Sequence, residues 1–178
     1  RRGFSMARNF TISLPSASFN QSRGSLQAAQ LTTQAVTSSH RIAWACDDST
    51  NEGACSDPFV CPNEYTGSGT LKANIFFASG TQNSGSAVFG IYVEAITAGT
   101  DTLNVTTTDS FDVSGTNLGT TDLSGSTAGD LLAQAITIGT KDSIAAGDQS
   151  RLIFYRNAAT DSVSDDLYVY MIELFEET

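Results

Sequence analysis

The sequence predicts an all-β fold: a single antiparallel β-sandwich of jelly-roll type, preceded by an extended N-terminal arm. Three observations predict it. Two strand-length runs, Leu71–Ser79 and Ala87–Ala95, alternate in character, with Leu71, Ala73, Ile75 and Phe77 in the first and Ala87, Phe89, Ile91, Val93 and Ala95 in the second. A period of two puts each set on one face of a sheet, and the β-branched and aromatic content favours strand over helix. About a quarter of the residues are Ser or Thr, and 15 are Gly, which suits many turns and solvent-facing strand positions. No stretch carries a convincing helical period, whereas eight or nine short runs are separated by turn-forming residues.

In order, the chain begins RRGFSM. Arg-Arg encoded as AGGAGG would be a ribosome-binding tract placed ahead of Met6, so residues 1–5 are expected to be a mis-called start; a leader cut before Arg1 is the competing reading. Residues 1–39 read as an arm with one short strand, Phe10, Ile12 and Leu14, closed by Pro15. An ordinary first strand with a loop explains the same residues equally well. An arm of this kind could add a strand to a neighbour's open edge. The sandwich domain is expected over residues 40–178. It opens with the strand Arg41–Ala45, which carries the single tryptophan, Trp44, as a core residue. Cys46–Glu64 reads as a loop. The two alternating runs follow, joined by Gly80–Ser86, a connection short enough for a hairpin. Leu103–Thr107, Ser110–Val113 and Thr120–Leu123 read as short strands, and Leu131–Ile138, Arg151–Arg156 and Leu167–Leu174 as longer ones. The last of these is apolar on both faces. One face can enter the core, and the other then needs a cover, which suggests a subunit interface.

Composition narrows the partners. The formal charge is −10, and the nine Lys and Arg residues form no cluster. A phosphate backbone would be repelled, so neither nucleic acid nor an anionic membrane is expected. No apolar run approaches the length of a membrane-spanning helix. The acidic tail, Glu173, Glu176 and Glu177, fits simple solubility or docking onto a more basic protein surface.

Nothing in the sequence builds a reactive centre. His40 is the single histidine and cannot supply a multi-histidine metal site. The cysteines, Cys46, Cys55 and Cys61, lack the close pairing of zinc ligands and have no nearby histidine to make a nucleophilic pair. They read instead as structural, with Cys55–Cys61 favoured as a disulfide over pairs with Cys46, or else as three reduced thiols. Aspartates recur in the turns without the spacing of a calcium loop. No catalytic, metal or cofactor-binding residue is therefore expected. The candidate partner-binding residues are Phe10, Ile12 and Leu14 on the arm strand and Leu167, Val169 and Met171 on the last strand.

The central stretch resembles a group of tailed-phage virion proteins. The resemblance lies in the entry Tyr65–Lys72 (YTGSGTLK), the Ser84-Gly85 pair before the second strand, and the exit Ile91–Thr97 (IYVEAIT). It continues in Ala146–Asp148 with Arg151-Leu152 and in the turn Arg156-Asn157-Ala158. In that group an Asp commonly follows the last arginine, where this chain has Asn157. The similarity spans about Ile42 to Glu173, and the cysteine loop departs from it. Many such proteins decorate capsids as jelly-roll trimers, so the resemblance implies a capsid decoration, or cement, protein. It would be a homotrimer on the outer surface of the virion, bound to the major capsid protein. Others of the group sit in tails or fibres, and the alternative is a fibre or tail module recognising a host carbohydrate. Aromatic residues exposed on loops would favour that alternative; Phe59 and Tyr65 are the loop aromatics here. A hydrolase on the same scaffold is a third reading, and no nucleophile or base arrangement supports it.

Overall fold

In the computed structural model, residues 7–21, 27–28, 30–36, 39–101 and 111–178 are described. Among them lie thirteen strands: β1 (Arg8–Pro15), β2 (Phe19–Gln21), β3 (Gln27–Ala28), β4 (Gln30–Val36), β5 (Ser39–Cys46), β6 (Glu52–Ser56), β7 (Phe59–Val60), β8 (Thr70–Ser79), β9 (Ser86–Ile96), β10 (Asp112–Asp122), β11 (Leu132–Thr137), β12 (Gln149–Arg156) and β13 (Leu167–Glu177). They form two facing sheets. One runs β11-β8-β13-β5-β4, with β1 also on β13. The other runs β10-β9-β12-β6-β2, with β7 on β12 and β3 on β6. All pairings are antiparallel except that of β3 with β6. From β5 onward, leaving aside the two-residue β7, the chain changes sheet at every connection but that between β9 and β10. Two four-stranded sheets wound in this way make a jelly roll, as expected.

The alternation read from sequence sets the core. Phe77 of β8 and Phe89 of β9 meet edge to face across the sandwich, with ring centroids 5.0 Å apart. Ile75, Ile91, Leu152, Phe154, Leu167 and Ile172 are sealed around them. Trp44 lies in the same core, and its indole N–H donates to Ser16 O at 2.8 Å, so its one polar atom is satisfied.

Several expectations are corrected. β8 and β9 do not form a hairpin: β8 pairs with β11 and β13, and β9 with β10 and β12. Gly80–Ser86 instead carries the chain from one sheet to the other. Alternation shows which side chains share a face but not which strand lies alongside, so this difference was invisible locally. Of the two readings of residues 1–39, the described part follows the ordinary first strand and not the extended arm. β1 lies along β13 from Arg8↔Glu177 to Pro15↔Met171, β2 and β3 join β6, and β4 pairs with β5. The cysteine loop contains β6 and β7, which lack apolar alternation because β6 is buried at all five positions. Gly53 of β6 sits where a Cβ would strike the Phe154 carbonyl. The expected strands Ser110–Val113 and Thr120–Leu123 overlap one strand, β10, whose register shifts between Asp112 and Asn117; Ser110 falls outside the described residues. Leu103–Thr107 falls outside the described residues.

The expected Cys55–Cys61 disulfide is also corrected: none of the three cysteines is disulfide-bonded, and all are buried. Cys46 and Cys61 belong to the main core. Cys55 sits in a separate cluster with Ile153 and Phe111. Consecutive residues of a strand point to opposite faces, and Ala54, not Cys55, enters the main core from β6. Burial pushes the Cys46 thiol well above its ordinary range. Cys61 is pushed up to about 11, by burial first and then by the charges of Asp148 and Glu176.

Candidate interaction surface

The motifs that looked distinctive in sequence are internal braces. The loop Tyr65–Gly69 wraps the carboxylate of Glu176, whose residue is 0 % exposed. Thr66 N–H donates to Oε2 at 3.0 Å, Gly69 N–H to Oε1 at 3.0 Å, and the Asn9 amide to Oε2 at 2.5 Å. Gly69 is required because a Cβ there would lie 2.8 Å from Glu176 Cγ and 2.6 Å from the Glu177 carbonyl. Burial works to raise the Glu176 carboxyl, but the donors outweigh it and hold the group at about 2. In the exit motif, Glu94 is opposite Arg151 in the β9–β12 register, and the two form a bidentate pair through Nε–Oε2 and Nη2–Oε1. In the Ala146–Asp148 turn, Asp148 accepts from Ala145 N–H at 2.7 Å and from the Thr97 hydroxyl at 2.9 Å. The acidic tail is likewise consumed internally. Glu173 pairs with Arg8 at 2.9 Å and accepts from the Asn74 amide at 2.8 Å, and Glu177 pairs with Lys72.

One end of the sandwich is locked by Arg156 and the turn after it. The other end holds a cleft of about 440 Å³ lined by Ala95, Ile96, Thr97, Thr100, Asp101, Asp142 and Ser143. Its two carboxylates are engaged in shaping the loops: Asp101 accepts from Thr97 N–H and Asp142 from Ala95 N–H, each at 2.8 Å. Among the described residues, no three His, Cys, Asp or Glu side chains gather as a metal-ion set. His40 lies on β5, and its side chain falls outside the described residues.

The six residues expected at a partner interface separate cleanly. Phe10, Leu14, Leu167 and Val169 are buried in the chain's own core, and Ile12 packs against it. Met171 alone is on the outward face and partly exposed. Sequence leaves Leu167 and Val169 open, because β13 is apolar on both faces and nothing local says which face meets the second sheet; Phe10, Ile12 and Leu14 are inward because β1 joins its own domain's sheet instead of a neighbour's. The register shift between Val169 and Met171 is a bulge on β13. It leaves Tyr170 and Met171 both on the outward side, where straight pleating would have sent one inward.

The outward side of this sheet therefore has two halves. At one, Phe76, Tyr168, Tyr170 and Met171 are partly exposed, with Phe76 opposite Met171 and exposed Ala133. At the other, Asn74, Glu173, Lys72, Glu177 and Arg8 form a polar network, with the Arg8 guanidinium 3.7 Å from the Phe175 ring centroid. Chemically, such a patch can make contacts: the rings supply rigid apolar area, and tyrosine hydroxyls can hydrogen-bond at its rim. The loop aromatics do not contribute, because Tyr65 is buried and Phe59 is packed on the core.

No protein-family model and no curated protein sequence matches the chain. Among solved structures, it is similar to a carbohydrate-binding module of the CBM28 type specific for non-crystalline cellulose, at 11% identity over 90% of this chain and 89% of that one, with TM-score 0.49. It is similar also to the C-terminal CBM6 of LamC, a laminarinase of Zobellia galactanivorans (13% identity, 94% and 100% coverage, TM-score 0.43). A third is the CBM36-1 domain of a multidomain xylanase from the hindgut metagenome of Trinervitermes trinervoides (12% identity, 93% and 96% coverage, TM-score 0.43). At these identities, and with each TM-score below 0.5, the likenesses bear on neither the function nor the individual residues of this chain.

Proposed function

We propose that this chain is a non-catalytic binding module, and specifically a structural virion protein that decorates a tailed-phage capsid. The observation that carries the reading is the partly exposed patch of Phe76, Tyr168, Tyr170 and Met171 on the outward face of a sheet whose inward face is buried in the core. The resemblance of the central motifs to tailed-phage virion proteins supports the choice of partner. In this role the sandwich spreads contact area over neighbouring major capsid subunits on the outer shell. Each square ångström of apolar area covered contributes roughly 25 cal/mol before ordering costs. Repetition over a symmetric shell multiplies a weak contact into a firm one. Because the motif carboxylates and arginines are already paired within the fold, their part is to hold the face rigid rather than to react.

A second reading is a fibre or tail module recognising a host carbohydrate. It is favoured by the same rings: a sugar's C–H face can lie flat on Tyr168 or Tyr170 while hydroxyls reach polar groups beside them. Copy number separates the two. A decoration protein should be present in virions in a number approaching that of the major capsid protein on a quantitative gel. A fibre module would be present in tens or fewer copies, a result that would remove the capsid reading and leave the carbohydrate one.

A further inference from the structure

Four strands end the order of the two sheets, and three of them are blunted; β1, which lies off that order on β13, carries Arg8, Pro15 and a register shift. β10 and β11 close over each other: the Gln134 amide on β11 donates to Phe89 O at 3.5 Å, and a Cβ on Gly119 of β10 would lie 2.8 Å from that amide and 2.9 Å from the Ala135 carbonyl. β2 is only three residues long, and its Asn20 amide is turned to Asp57. β4 is different. It pairs with β5 over all seven residues, and among the described residues nothing pairs with its other side. Its sequence, QLTTQAV, contains no charge and no proline, and the uncharged run extends from Gly24 to Ser39. Natural sheet edges are normally protected by charge, proline, bulges or shortness, and an edge lacking all four is a template for another strand.

We propose that β4 is a self-association edge, pairing antiparallel with β4 of a second copy about a twofold axis. The charge distribution restricts where a second copy can dock. A second copy carries the same net charge of −10, so most faces would repel it. β4 brings no like charges opposite one another. Centred on Thr33, the pairing sets Gln30 against Val36, Leu31 against Ala35, Thr32 against Gln34, and Thr33 against its own copy. It joins the two six-stranded sheets into one and satisfies the outer backbone groups of both edges. The association is twofold, not the threefold one that the resemblance implies, and it does not depend on which partner the aromatic patch binds.

Two measurements test it. Sedimentation equilibrium should show a reversible dimer, and Thr33→Lys, which places two ammonium groups face to face, should weaken it by about tenfold or more while leaving the circular dichroism spectrum unchanged. Thr33→Cys should cross-link to a dimer under mild oxidation, since directly opposed residues lie within disulfide reach. Ala35→Cys should not, because its opposite is Leu31. A monomer at all concentrations, a trimer insensitive to Thr33→Lys, or equal cross-linking of the two cysteine variants would each overturn the proposal.

Discussion

Arg156 and Asp161 form an ion pair from which water is excluded: Nη2 donates to Oδ1 at 2.7 Å, and the side chains are 0% and 1% exposed. The guanidinium also donates to Cys46 O at 3.0 Å, to Asp165 O at 2.6 Å and to Val163 O, while its Nε finds no acceptor. Asp161 in turn accepts from the backbone N–H of Val88 and Val163. One arginine thus ties β5, β12 and the 157–166 turn together, and its partner reaches the start of β9. The adjoining carboxylate of Asp165 does the same for the crossover between the sheets, accepting from Thr81 N–H at 2.6 Å and from the Ser79 hydroxyl at 3.1 Å.

Asp161→Asn is therefore predicted to destabilise the fold by about 3–5 kcal/mol, because it leaves a buried guanidinium uncompensated. Urea unfolding of the variant against wild type measures it. A change below ~1 kcal/mol would mean that the pair is not sealed from solvent.

Glu176 gives the fold an acid limit. Its carboxyl is held at about 2 in the folded chain against 4.5 ordinarily. A depressed folded-state value stabilises above the unfolded value, and that contribution is lost as pH falls from about 4.5 towards 2. Thermal melts between pH 6 and pH 2 should show a steep fall in this window. Glu176→Gln should be less stable at pH 6 and show a shallower fall, because it removes the titrating group while leaving Thr66 and Gly69 N–H less well paired.

Gly90→Ala should be poorly tolerated. The Tyr155 ring lies over Gly90, where an added Cβ would clash with it, and Tyr155 stacks on Tyr92 with centroids 4.8 Å apart and planes 23° apart. The strain of such overpacking is typically about 1–3 kcal/mol. In a Tyr155→Ala background the same substitution should cost much less, and a double-mutant cycle by chemical denaturation would read the coupling.

All three thiols are buried, and those of Cys46 and Cys61 are also pushed up in pKa, which makes them unreactive. Folded protein at pH 8 should resist iodoacetamide, and unfolded protein should take three labels without reductant. Recovery of one label with a cross-linked pair would contradict the cysteine geometry.

Much of this fold was legible in the sequence, for reasons that particular residues make plain. β8, β9, β12 and β13 announced themselves because each has an inward face of large apolar residues at period two. β6 did not, since Glu52–Ser56 is buried on both sides and uses Gly53 and Ala54 to admit a neighbouring strand closely. The N-terminal strand was seen, but its destination was not: Phe10 and Leu14 look alike whether they fill their own core or a neighbour's. The candidate surface was only half legible. That β13 had a surplus apolar face was readable, but the bulge that puts Tyr170 and Met171 on the same side is a matter of register against β8. The resemblance motifs brace the fold from within, and their partners, Glu176 above all, lie too far along the chain to be inferred from spacing.

The proposed binding depends on the outward patch of Phe76, Tyr168, Tyr170 and Met171. Purified wild-type protein and the double variant Tyr168→Ser/Tyr170→Ser should be titrated onto phage heads from which the native copies have been removed, with melting curves confirming that both are folded. Saturable binding of wild type, on the order of hundreds of copies per head and weakened at least about tenfold in the variant, is the predicted result. Equal binding of the two proteins would contradict it.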